Sequence, residues 1–191
     1  DIKNIDRGSL ESRYVLINTL PLDLYMRGIA ETNDAEPFEK NKVMSLLAKN
    51  YVLFYLDDAH NHPSVPQGAA YNAIDDARSF QKYVGAWLDQ TLKAWKKALD
   101  ETRDDIVSYQ DHLAFLPYFS CSAWFTWSAQ EKYWRTDTPY LVSVYDPDPC
   151  DDFEGHGVGL AGRWASYMAQ RWSSYKDIIT YFYSGVEITT Y

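Results

Sequence analysis

The chain has 191 residues, 46% of them hydrophobic, which is enough to bury one sizeable core. Its formal charge of −9 argues against a nucleic-acid reader, because phosphates call for basic patches and the 18 Lys and Arg gather into none. No stretch reaches the ~18 apolar residues of a membrane span, and Asp1-Ile2-Lys3-Asn4 lacks the apolar core of a signal peptide, so neither segment is expected in this chain.

In chain order, Ser12–Asn18 is short and β-rich, which predicts a strand. Pro21 and Pro37 each open a helix, as prolines at the first helical position do. In the second helix Val43, Leu46, Leu47, Tyr51 and Phe54 recur at helical spacing, giving one apolar stripe toward a core. Asp57–Ile74 is polar and rich in Asn, Pro and Gly, which predicts a long surface loop. Its His60-Asn61-His62 offers two metal-binding imidazoles, but a specific site needs three or four fixed ligands, so no metal is expected. Trp87–Glu101 returns to helical spacing. Asp105–Tyr109 and Leu113–Phe119 read as a hairpin, Tyr140–Val144 as a further strand, and two helices follow Gly159 and Ser174. Separate strands and helices predict an α+β fold, and without a Gly, Ser or Pro-rich linker one domain is expected over residues 1–191.

Sixteen Tyr, seven Trp and eight Phe make the chain aromatic-rich. Most such rings pack cores, yet Tyr and Trp also suit half-wet surfaces where a flat apolar body meets a sugar face. Cys121 and Cys150 fit either two buried thiols or one disulfide. Gly155-His156-Gly157-Val158-Gly159 sets a histidine between glycines at the mouth of a predicted helix. Glycines admit close backbone approach to a ligand, and an imidazole near neutral pKa donates, accepts or holds a charge.

A set of motifs recurs in a recognisable order. Leu20-Pro21-Leu22-Asp23-Leu24-Tyr25-Met26-Arg27-Gly28-Ile29 matches "LPLEDYLxGV", and Glu31 stands six residues before Pro37. Lys42, the block Ala48-Lys49-Asn50-Tyr51 ("ARTY"), and Gln81, Tyr83 and Gly85 ("QxYxG") follow. Glu101-Thr102-Arg103, Val107 and Tyr109 match "ETRGxVLTY", and Tyr118-Phe119-Ser120-Cys121-Ser122 with Thr126 matches "YxxSSGGxT". Together with the glycine-flanked His156, these resemble the stage II sporulation protein D / amidase-enhancer family, which acts on bacterial peptidoglycan. The match covers roughly nine-tenths of the chain at the level of pattern.

The resemblance implies a lytic transglycosylase that cuts between N-acetylmuramic acid and N-acetylglucosamine without water, leaving a 1,6-anhydro sugar. One carboxyl group can serve both halves, protonating the leaving oxygen and then taking the proton from the attacking C6 hydroxyl. A carboxyl in a partly apolar pocket, its pKa raised, suits that double role. On the resemblance the carboxyl is Glu31, with Asp34 and Glu36 as local rivals. His156 is the second catalytic candidate, and Gln81, Tyr83, Ser122, Trp124, Thr126, Gly157 and Arg163 are candidates for substrate binding. Taken alone, Glu31 reads as a solvated acid at a helix end, His156 as a brace for the following helix, and the hydroxyls of Ser122 and Thr126 as turn partners. Peptidoglycan strands are the implied partner and a cell-wall amidase a further one. An extracytoplasmic, oxidising location is implied too, and there the two cysteines, brought to one cleft, can pair. No cofactor is implied.

The chain also departs from the family pattern. Gly28 and Glu31 are three apart where the pattern has five, so the turn presenting the glutamate is shorter. "SGG" becomes Ser122-Ala123-Trp124, and "MSQYGA" becomes Leu160-Ala161-Gly162-Arg163-Trp164-Ala165. The zinc-binding "CDTTHC" of some members becomes Asp75-Asp76-Ala77-Arg78-Ser79-Phe80, without thiolate or imidazole. Besides the enzyme, two readings stay open: a non-catalytic wall-binding module that aids an amidase, and a structural domain without a glycan role.

Overall fold

A computed structural model describes residues 1–6, 16–57, 60, 62–78, 80–134 and 137–190. Strand β1 (Ile2–Asp6) lies between β2 (Ile17–Leu20), antiparallel to it, and β3 (Ala73–Asp75), parallel to it. After β2 come helices α1 (Leu22–Arg27) and α2 (Phe38–Leu56), and after β3 comes α3 (Lys93–Glu101). A second antiparallel sheet centres on β4 (Asp105–Tyr109), flanked by β5 (His112–Leu113) and β8 (Glu187–Thr190). Strands β6 (Tyr118–Phe119) and β7 (Leu160–Ala161) form a parallel pair, and β7 runs straight into α4 (Gly162–Gln170), followed by α5 (Tyr175–Phe182). The architecture is α+β, and among the described residues no helix is long and apolar enough to cross a membrane.

Helix α2 organises the rest. Val43, Leu46, Leu47 and Phe54, most of the expected stripe, join Val107, Leu160 and Phe182 in one hydrophobic cluster. Met44, Ala48 and Val52 join Ile5, Tyr25 and Trp95 in another, and Tyr51 packs against both. The expected single stripe is therefore two, as befits a helix buried nearly all round. Its polar side chains are satisfied by other elements. Asn50 donates to the carbonyls of Val107 and Ala114 at 2.6 and 3.1 Å and accepts from the Val107 N–H at 3.2 Å. Lys49 donates to the carbonyls of Thr102 and Arg103 at 2.8 and 2.9 Å, just past the end of α3, where carbonyls lack helical partners.

Four expected elements take different form. The helix expected over Trp87–Glu101 splits into a 3₁₀ turn, Ala86–Gln90, and α3, because Leu92 leaves helical geometry (φ −102°, ψ 85°). The hairpin is tighter, with β4 and β5 joined through Gln110 and Asp111 at φ 50° and 64°, the left-handed pair that matches strand twist. Tyr140–Val144 forms no ladder strand: the Thr126 hydroxyl accepts from the Val144 N–H at 2.9 Å, and the Ser143 hydroxyl donates to the Thr126 carbonyl at 2.7 Å. Side chains there supplement two backbone bonds, from the Thr126 N–H to the Val144 carbonyl at 2.8 Å and from the Ala129 N–H to the Leu141 carbonyl at 2.9 Å. The loop after Asp57 ends early, since Ala73 and Ile74 are buried in β3. Of the strand expected at Ser12–Asn18, Ser12–Val15 lies outside the described residues, and Ile17 and Asn18 fall in β2.

Candidate functional site

A groove of about 1180 Å³ opens where the segment before α2 faces β6 and the start of α4. Glu31, His156 and Arg163 line it, together with Lys40, Tyr118 and Ser166.

Glu31 sits on a short turn braced at both ends. Before it, Ile29 bridges to Tyr83, the Ala30 N–H donates to the Lys82 carbonyl at 2.9 Å, and the Val84 N–H donates to the Gly28 carbonyl at 2.9 Å. After it, Thr32 donates its hydroxyl to the Asn41 Oδ1 of α2 at 2.6 Å, and the Asn41 Nδ2 donates to the carbonyls of Asn33 and Glu36 at 3.4 Å. The turn is shorter than the family pattern, yet its carboxyl meets the groove. Partial burial raises the Glu31 pKa above the usual carboxylate value, against the opposing effects of the Lys82 backbone N–H, which donates to Oε1 at 2.6 Å, and the Lys82 charge. The phenols of Tyr25, Tyr51 and Tyr118 are raised chiefly by their own burial and further by the Glu31 charge. The carboxyl thus stands among tyrosines.

His156 accepts a hydrogen bond at Nδ1 from the Val158 N–H at 3.1 Å, so in the neutral ring Nε2 carries the hydrogen. Surrounding protein lowers its pKa, a hydrogen bond with the Tyr118 backbone acts against that, and the positive charge of Lys132 lowers it further. The glycines beside it serve packing. Gly157 and Gly159 have φ of 83° and 82°, and a Cβ would strike the Trp127 ring at the first and the Pro117 carbonyl oxygen at the second. At these two positions the backbone approaches neighbouring protein closely, while Gly155 on the other side of His156 lines the groove.

The floor carries a polar cluster that sequence reasoning missed. Lys40 donates to the Ser166 hydroxyl at 2.9 Å, Ser166 donates to the Glu36 Oε2 at 2.7 Å, and Lys40 pairs with Glu36 at 3.6 Å. The i,i+4 spacing of Glu36 and Lys40 was a readable signal. Ser166 arrives from α4, 126 residues beyond Lys40, and left none. Arg163 extends over the groove and is held by Asp148 through two hydrogen bonds of 3.0 and 2.9 Å. Asp148 belongs to the loop that Cys150 anchors, and Cys121 and Cys150 are joined in a disulfide.

The remaining candidates lie behind or beside the groove. Gln81, fully buried, accepts from the Tyr25 hydroxyl at 3.2 Å and donates to the Ala48 carbonyl at 3.0 Å. Tyr83 stacks on Tyr25 with ring centroids 5.3 Å apart. Ser122 is buried and donates to Asp146 at 2.6 Å, Thr126 is spent on Val144, and Gly157 is buried under Trp127. These five are positioned to support the walls, and the side-chain polar groups of Gln81, Ser122 and Thr126 are paired within the protein. Trp124 is 55% exposed outside the groove lining, at φ 75°, a left-handed conformation that glycine, its counterpart in the family pattern, adopts freely. Of the rival acids, Asp34 accepts from the backbone N–H groups of Lys93, Ala94 and Trp95 at 2.8, 3.0 and 3.3 Å and so caps α3. Lys42 pairs with Glu39 and Glu101, each at 2.9 Å, away from the groove. Trp164 stacks on Tyr167 with ring centroids 4.8 Å apart.

No group of three or more potential metal ligands occurs among the described residues. Both ring nitrogens of His62 are engaged, with Ser64 and Tyr51, while Asn61 and Ser79 lie outside the described residues.

These elements define an α+β protein with an open groove, a half-buried carboxyl on one wall and an imidazole on another. Comparison with curated proteins finds stage II sporulation protein D of Bacillus subtilis (strain 168), 27% identical over 142 residues. The protein of the same name from Bacillus amyloliquefaciens is 28% identical over 142 residues. Each alignment covers 69% of this chain and 40% of the relative, so the chain matches well under half the length of these curated proteins. No protein-family model matches the chain. The chain is a divergent relative of stage II sporulation protein D.

Proposed function

We propose that this protein acts on the bacterial cell wall, as an extracytoplasmic lytic transglycosylase that cleaves peptidoglycan strands between N-acetylmuramic acid and N-acetylglucosamine. The observation that carries the reading is Glu31, half-buried on a braced turn, its pKa raised, in a groove shared with His156. A carboxyl whose pKa is raised holds its proton to higher pH than a free one and gives it to the glycosidic oxygen as that bond breaks. As carboxylate it then takes the proton from the C6 hydroxyl that attacks the anomeric carbon. The Lys82 N–H on Oε1 fixes the carboxyl plane and leaves Oε2 to exchange the proton. His156, held by the Val158 N–H at Nδ1 and by the Tyr118 backbone, lines the groove and offers the face of its imidazole to a sugar ring. Arg163, steadied by Asp148, and the Lys40–Ser166–Glu36 cluster offer polar groups to sugar substituents.

The test is mass spectrometry of glycan strands, with and without stem peptides, after incubation with wild type, Glu31→Gln and His156→Ala. Anhydro-muramic ends made by wild type, abolished by Glu31→Gln and reduced by His156→Ala, are expected. Equal activity of wild type and Glu31→Gln would sink the assignment. No new ends with glycan binding retained would give the groove a non-catalytic role in aiding a cell-wall amidase.

A further inference from the structure

The aromatic surface does not stop at the groove. The His156 ring lies 5.6 Å from Phe119, a groove residue, and 4.8 Å from Trp134. Phe119 leads to Phe153 at 6.4 Å, and Phe153 to Trp127 at 5.8 Å. Two residues before Trp127, on the same extended stretch, Phe125 meets Tyr145 at 5.3 Å. The alternation of extended backbone explains this face: Phe125 and Trp127 point outward, 54% and 37% exposed, while Thr126 between them is 2% exposed. The ridge is held in place by the protein. The Trp127 N–H donates to the Gly157 carbonyl at 2.7 Å, and the Lys132 ammonium caps its ring at 4.7 Å.

Large rings left in water on a fixed ridge mark a binding surface. The ridge meets the groove at exposed His156, whose ring lies beside Trp134, with buried Phe119 and half-buried Phe153 backing it, so a polymer lying in the groove past His156 runs onto Trp134 and Trp127. We infer that this ridge is an extension of the groove that holds further sugar rings of an amino-sugar polymer by stacking on their C–H faces. The inference rests on the glycan reading above and adds to it the length of strand recognised. Neutral sugar faces suit a chain of net charge −9, which repels the anionic parts of such a polymer.

Calorimetric titration with β-1,4-linked N-acetylglucosamine oligomers, short and long, tests it on wild type, Trp127→Ala, Trp127→Tyr and Phe125→Ser. Wild type is expected to bind long oligomers more tightly than short ones. At the strength of one aromatic contact, Trp127→Ala should weaken long-oligomer binding by roughly three- to tenfold and leave short-oligomer binding unchanged. Trp127→Tyr should recover most of the loss. Phe125→Ser, at the more exposed position, repeats the test should Trp127→Ala fail to fold. The ridge is refuted if short oligomers bind and length brings no gain, or if the gain persists in both ridge variants, and either result leaves the groove reading standing. Failure of wild type to bind any oligomer would overturn both readings.

Discussion

Glu31 and His62 show opposite uses of burial at the scale of the residue. Around Glu31 burial works against the charge and raises the pKa, while a backbone N–H and the Lys82 charge work the other way. Around His62 burial serves packing. The Ser64 N–H donates to Nδ1 at 3.0 Å, so Nε2–H donates to the Tyr51 hydroxyl at 3.0 Å, and the ring packs edge-on against Tyr55 and Phe80. Burial lowers its pKa from 6.5 to about 4. Between those values the unfolded chain binds the proton and the folded one does not, so stability rises with pH across the window. The contribution is complete above pH 6.5 and is lost as pH falls toward about 4. Urea midpoints measured across that range should drop on acidification, and less steeply in His62→Gln. Parallel pH profiles for the two proteins would refute the role.

Elements here are completed by residues remote in sequence. Helix α3 begins with no capping side chain of its own, and Asp34, 59 residues before Lys93, supplies the acceptor for three of its first N–H groups. Asp34→Ala is therefore expected to cost about 1 kcal/mol, the usual worth of an N-cap. Asp34→Asn should lose less, because its amide oxygen still accepts, and equal denaturant midpoints for wild type and Asp34→Ala would show the cap to be idle. Helix α5, by contrast, caps itself: Ser174 and Asp177 form a reciprocal box visible in the sequence as Ser-x-x-Asp. Helix α2 was legible through Pro37 and its apolar spacing. Its second buried face was not, since Met44, Ala48 and Val52 acquire meaning only from the sheet and helices packed on them.

At the scale of the molecule, the groove depends on bringing residues 118–127 and 145–163 together. The disulfide joins these stretches across a separation of 29 residues, and the Glu154 N–H donates to the Cys121 carbonyl at 3.0 Å beside it. Closing a loop of that length contributes about 3–4 kcal/mol through the unfolded state. Denaturant midpoints of the oxidised protein and of a Cys121→Ser, Cys150→Ser variant should differ accordingly, and a difference near zero would mean that the bond closes nothing the fold does not already hold. Cys150 anchors the loop that carries Asp148, which steadies Arg163 in the groove, so loosening it should also weaken binding of short and long oligomers alike.

The sequence by itself determined the α+β class, the two helices opened by Pro21 and Pro37, the likeness to stage II sporulation protein D, and the candidates Glu31, His156 and Arg163 that line the groove. Those features are written locally, in spacing, caps and the order of short motifs. Only the tertiary structure decided that Gln81, Ser122 and Thr126 spend their polar groups inside the walls, that Asp34 caps a distant helix, that Ser166 joins Lys40 and Glu36, and that the two cysteines bond. The physical reason is that a hydrogen bond or a stacked ring needs its partner within a few ångströms in space. Where that partner lies tens of residues away along the chain, no periodicity in the sequence records it.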